Sequence, residues 1–102
     1  MFKELDPILH SQLRLSIISL LMGLKSATFT FIMDKTGATR GNISVQLKKL
    51  EEAGYIEIDK SFQDNYPQTT CKMTGKGIEA FKNYVDALKE YIGNGNSAKE
   101  QI

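Results

Sequence analysis

The chain has 102 residues, 41% of them hydrophobic, with a formal net charge of +1 and a pI near 7.8. That length bounds it to one domain of common size. A charge this close to neutral excludes composition as an argument for nucleic acid, so any DNA-binding field must come from local placement of lysines.

The start, Met1 to Asp6, is mixed in charge and carries no hydrophobic signal region. Cys71 is the single cysteine, so no intramolecular disulfide can form. Together these lead to the expectation of a reducing, cytoplasmic location. Asp6 suits an N-cap and Pro7 a first helical position. A first helix is therefore predicted from Pro7 to about Met22. Its apolar residues, Ile8, Leu9, Leu13, Leu15, Ile17, Ile18, Leu20, Leu21 and Leu24, cover more than one stripe. Such a helix needs burial on more than one side, and a subunit contact, expected through Leu9, Leu13 and Ile17, is one way to obtain it. Ile17 to Leu24 is the longest apolar stretch and is far too short to span a bilayer, so no membrane partner is expected.

His10 is read as structural or exposed. One histidine and one cysteine do not make a dedicated transition-metal site, so no metal and no cofactor are expected. Ala27-Thr28-Phe29 is predicted as a short strand against a later hairpin. Thr30 to Thr36 is predicted as a short second helix anchored by Phe31 and Ile32, and it abuts the turn at Gly37-Ala38.

The next helix organises the chain. Thr39 can accept a bond from an orphan amide of the following turn. Ile43, Leu47 and Leu50 fall at i, i+4 and i+7, one helical face. Gly54 supplies the left-handed residue that ends a helix. At roughly 100° per residue, Gly41, Asn42, Val45, Lys48 and Lys49 point away from the apolar stripe. A small, amide and basic face near a capped N-terminus suits a helix laid in the DNA major groove. The plainer alternative is a surface helix with solvated lysines.

Tyr55 to Lys60 alternates like a half-buried strand, Gln63 to Gln68 is turn-rich, and Thr69 to Thr74 can return as the second strand. The last helix is predicted from Thr74 to just before Gly93. Ile78, Phe81, Val85, Leu88 and Ile92 give 3-4-3-4 spacing, an a/d seam. Ala80, Tyr84, Ala87 and Tyr91 form a second stripe beside it. One stripe can cover the core while the other meets a partner, so Tyr84, Leu88 and Tyr91 join the expected dimer interface; the plainer alternative is a single wide core face. Residues 93–102 are predicted to be a mobile polar tail after a domain of residues 1–92.

The run TGATRGNISVQLKKLEEAGYIEIDKSF, then P-x-T, then M-T-x-K-G, resembles winged helix regulators of the MarR and ArsR type. It is most similar to the compact stand-alone members, over about Leu5 to Ile92. The resemblance implies a mainly α fold with a small antiparallel β-wing, a winged helix-turn-helix in the order α-(β)-α-α-β-β-α. It also implies a dimeric, DNA-binding transcription regulator. Members often carry arginine or lysine at the wing tip. Here the tip reads Gln63-Asp64-Asn65-Tyr66-Pro67-Gln68, flanked by Lys60 and Lys72, and Asp64 opposes a phosphate contact.

The leading reading is a cytoplasmic homodimer that binds double-stranded DNA and regulates transcription. Thr39 and Arg40 would meet phosphates or the groove edge. Asn42, Ser44, Val45, Lys48 and Lys49 would face bases and nearby phosphates, with Gly41 on the same face and Lys60 and Lys72 in the wing. An exposed valine can contact a thymine methyl. The sequence names no effector ligand. The competing reading is a winged helix docking module for other proteins. The chain has no convergent carboxylates and no glycine-rich phosphate loop, so it contains no catalytic constellation.

Overall fold

Local capping and one long hairpin set the element order: α1 (Gln12–Gly23), β1 (Ser26–Thr28), α2 (Phe29–Thr36), α3 (Arg40–Glu52), β2 (Ile56–Gln63), β3 (Tyr66–Met73) and α4 (Gly75–Gln101). The computed structural model describes the backbone of residues 2–101 and the side chains of residues 2–93. Among the described residues, four helices and a three-stranded antiparallel sheet make a winged helix-turn-helix, as expected.

Asp6 caps a single turn rather than a helix. Its Oδ1 accepts from the Ile8 amide at 2.8 Å, and its carbonyl accepts from the His10 amide at 2.8 Å. The chain then turns extended at Ser11, so α1 begins at Gln12 and not at Pro7. That turn drives Leu9 into the core.

Thr28 caps α2, its Oγ1 accepting from the Phe31 amide at 3.1 Å. Ile32 is buried as expected, but Phe31 lies at the surface with the Lys35 ammonium 5.5 Å from its ring centroid. Gly37 ends this helix in the left-handed region, φ 73°. Thr39 caps α3 as its position predicts, accepting from the Asn42 amide at 3.2 Å. Ile43, Leu47 and Leu50 are all buried in the shared core.

Both wing strands are longer than the alternation suggests. Only Asp64 and Asn65 form the turn, at φ 52° and 68°. Two consecutive left-handed residues make a type I′ connection, whose twist matches the strands, and Asp and Asn tolerate it. The register pairs Ile58 with Cys71, Lys60 with Thr69 and Gln63 with Tyr66. β1 adds to the other edge of β3, pairing Ala27 with Cys71.

Thr74 joins the wing to α4. Its Oγ1 accepts from the Gly77 amide at 2.9 Å and donates to the Gly54 carbonyl at 2.6 Å. α4 continues past Gly93, where the glycine suggests an end. The expected mobile tail falls mostly on residues 94–102, whose side chains lie outside those described.

Of the two α4 stripes, the small-residue one is buried more deeply: Tyr84 and Ala87 are buried, and Ala80 is half-buried. Tyr84 also holds His10, with its hydroxyl 3.2 Å from Nδ1. In the a/d seam, Phe81 and Leu88 also pack against the core while keeping part of their surface, Val85 is half-buried, and Ile92 is exposed. The expected dimer set therefore needs correction. Leu9, Ile17 and Tyr84 are buried within the single chain and have no free surface for a partner. Leu13 and Leu88 keep part of theirs, and Tyr91 is exposed.

Candidate nucleic-acid interface

α3 and the wing are the two walls of one concave surface. Its lining brings together Arg40, Ser44, Lys48 and Glu51 of α3, Lys60 and Gln63 of β2, Tyr66 to Thr69 of β3, and Thr28 to Thr30 at the start of α2. The geometry follows from the packing. Burial of Ile43, Leu47 and Leu50 fixes the rotation of α3, and the same rotation turns Arg40, Ser44 and Lys48 toward the wing.

Three cations, Arg40, Lys48 and Lys60, and one carboxylate, Glu51, line this surface. Arg40 stands over the Phe29 ring, with its guanidinium carbon 5.1 Å from the centroid. It therefore projects from a fixed base beside the N-terminus of α3, whose amides and dipole favour an anion. Val45 is 51% exposed on the outermost side of the helix, as its position in the turn predicts. Gly41 and Lys49 are exposed beside it. Thr39 and Asn42 are exposed at the start of the helix.

Lys72 is not part of this surface. It faces Glu57 across the strand pair, with Nζ 3.4 Å from Glu57 Oε2, and lines a separate hollow with Ser26 and Thr70. A strand alternates faces residue by residue, so Lys72 and the buried Cys71 cannot share one. Of the two wing lysines, only Lys60 meets α3 across the concave surface.

Several residues here carry no signal in the sequence. Phe62 and Tyr66 flank the wing turn and are 76% and 75% exposed. Arg14 does not serve the surface as a free cation. Its Nε donates to the Ile8 carbonyl at 2.6 Å and its guanidinium donates to Gln46 Oε1 at 2.5 Å. Gln46 is legible only as the i+4 neighbour of Asn42.

The Cys71 thiol is buried in the sheet, and its pKa is pushed up to about 11 by that burial and, secondarily, by the Glu51 charge. A thiol held protonated in this way is not a nucleophile at neutral pH. Among the described residues, no three His, Cys, Asp or Glu side chains converge as a metal site. Among them too, no helix is long and apolar enough to cross a membrane.

Residues 13–92 match the winged helix DNA-binding domain family. The chain is 42% identical over 87 residues to an uncharacterised protein of Methanocaldococcus jannaschii, covering 85% of this chain and 95% of that one. Its fold superposes on a transcriptional regulator homologue of Pyrococcus horikoshii with a TM-score of 0.80 and 30% identity, covering 85% and 86% of the two chains. An Enterococcus faecalis protein assigned to the MarR family of transcriptional regulators shares the fold alone. Its TM-score is 0.73 at 16% identity, over 93% of this chain and 84% of that one.

Proposed function

Because the chain belongs to the winged helix DNA-binding domain family, we propose that it is a transcription regulator that binds duplex DNA through α3 and the wing. The observation that carries this reading is the concave surface between them, whose lining holds Arg40 at the capped start of α3, Lys48 further along the same helix and Lys60 of the wing. α3 enters the major groove with Asn42, Ser44, Val45 and Lys48 toward base edges. Thr39, Arg40 and Lys49 meet phosphates, and Lys60 meets the backbone from the wing side. The similarity to the Pyrococcus horikoshii regulator homologue supports the regulatory role.

The working unit is a homodimer, and α4 carries its interface. The support is the partly exposed seam at Val85 and Leu88, continued by exposed Ile92, with exposed Tyr91 beside it. Leu13 of α1 contributes from its own free surface. Two copies of α3 then read half-sites about 10 base pairs apart, or a multiple of one turn. The lone, buried thiol fits a reducing cytoplasm.

Selection of bound fragments from random duplex DNA tests the function and supplies the operator. Anisotropy titration at several salt concentrations should show affinity falling as salt rises, because phosphate contacts release counterions. No binding even at low salt would move the assignment to a protein-docking winged helix, for which the exposed Phe62 and Tyr66 at the wing tip are the supporting observation. Sedimentation equilibrium at micromolar concentration decides the dimer, and a clean monomer rules it out.

A further inference from the structure

Arg14, Gln46 and Asn42 form a hydrogen-bonded chain from α1 to the exposed flank of α3. Arg14 donates to Gln46 Oε1 at 2.5 Å, and Gln46 Nε2 donates to Asn42 Oδ1 at 3.0 Å. The direction of this chain follows from chemistry. A guanidinium has donors and no acceptor, so it must meet the oxygen of Gln46. Gln46 then has only its NH₂ to offer on the far side. Asn42 must answer with its oxygen, which leaves its own Nδ2 protons outward. The orientation of an amide is normally ambiguous, because oxygen and nitrogen look alike. Here the charge on Arg14 removes the ambiguity at two successive residues.

Arg14 is itself held in place. Its Nε donates to the Ile8 carbonyl at 2.6 Å, in the turn that Asp6 caps. The backbone amide of Asn42 is engaged by the Thr39 cap. Asn42 is exposed, while Gln46 and Arg14 behind it are half-buried. An asparagine free to turn can offer donor and acceptor together, which is the bidentate pattern that suits adenine. An asparagine whose oxygen is turned back to accept from behind, with one of its two lone pairs engaged there, presents its NH₂ foremost.

We infer that Asn42 is a specificity-determining residue locked as a hydrogen-bond donor, with Gln46 and Arg14 as the residues that position it. This rests on the DNA-binding reading above. The base edge it selects carries an acceptor in the major groove: guanine N7 or O6, adenine N7, or thymine O4. Cytosine, which presents only its N4 donor there, is disfavoured.

The test is fragment selection from random duplex DNA, followed by anisotropy titration on sites differing at one position. It uses the full chain, Gln46→Glu and Asn42→Asp. In Gln46→Glu the new carboxylate would still accept from Arg14 but could not donate to Asn42, so the Asn42 amide would turn its NH₂ inward and its oxygen to the groove. In Asn42→Asp the new carboxylate would keep the bond from Gln46 and present an acceptor directly. Both variants should shift the preference at one and the same position toward cytosine or another donor-bearing edge, by on the order of tenfold. Thermal melting by circular dichroism checks that each variant is folded. Asn42 is exposed, so Asn42→Asp keeps the test intact if Gln46→Glu folds poorly. If the unmodified protein selects a sequence and neither variant changes its preference at any position, the inference falls and the DNA reading stands. Equal weakening on all duplexes would place Asn42 on a phosphate and also overturn it. If the unmodified protein selects no sequence, the DNA reading falls and takes this inference with it.

Discussion

The Tyr55 hydroxyl donates a 2.5 Å hydrogen bond to Asp6 Oδ2, across 49 residues of chain. Asp6 uses its other oxygen to cap the turn that seats Leu9, and Tyr55 leads directly into the wing. One side-chain pair thus ties the N-terminal turn to the junction of α3 and β2. The Lys76 ammonium, 5.9 Å from the Tyr55 ring centroid, adds the start of α4 to the same point.

The pKa of the Tyr55 phenol is pushed up to about 12, first by burial, then by the hydrogen bond to Asp6 and the Asp6 charge. The neutral phenol is the form that the fold favours. Its contribution to stability is therefore complete below pH 10 and is lost as pH rises through 12. The Cys71 thiol acts in the same sense, with its contribution complete below pH 9 and lost through about 11. Tyr55→Phe should cost about 1.5–3 kcal/mol near neutral pH, the range for a hydrogen bond to a charged group. It should also make the alkaline loss of stability shallower above about pH 10. Urea unfolding from neutral to strongly alkaline pH checks both, and an unchanged alkaline slope would show that Tyr55 does not titrate in this way.

Gly77 packs against the carbonyl of Tyr55 so closely that a Cβ would sit 2.1 Å from the oxygen. Because the clash is with backbone, Gly77→Ala should destabilise by about 1–3 kcal/mol or more. At Gly75, two residues earlier, a Cβ meets nothing within 4 Å. Gly75→Ala should change stability by less than about 1 kcal/mol. Denaturant midpoints of the two variants should differ accordingly.

Arg40 and the outward face of α3 should fail differently. Arg40→Ala should weaken binding to every duplex and lower the salt slope by roughly one unit, as one phosphate contact is lost. Val45→Ala and Lys48→Ala should cost about 1–3 kcal/mol on the selected site and much less on random DNA. Equal losses on both duplexes would remove base reading from these two positions.

Asp64 occupies a left-handed position, φ 52°, which a lysine would strain but asparagine tolerates. Asp64→Asn should leave the fold intact and strengthen DNA binding several-fold at low salt. The gain should shrink at high salt, where the repulsion it removes is already screened. No gain at low salt would place the wing tip away from phosphates.

Short-range features are legible in the residues alone. The Thr39 cap, the Ile43-Leu47-Leu50 stripe and the Gly54 stop each depend on geometry within one or two helical turns, and all three stand in the structure. The hairpin is legible for the same reason, because turn chemistry and alternation are written in neighbouring residues. Contacts between distant parts of the chain are not. Asp6 reads as a helix cap but serves a turn, and its second oxygen goes to Tyr55. Arg14 carries no local sign of its partners, Ile8 and Gln46, the latter 32 residues away. Leu9, Ile17 and Tyr84 read as available to a partner subunit but are buried by their own chain. The two apolar stripes on α4 are equally regular, and periodicity has no means of choosing between them. The core takes most deeply the stripe that carries Tyr84 and Ala87, while Phe81 and Leu88 of the other stripe pack against it with part of their surface still free, because burial is decided by the shape of the facing surface.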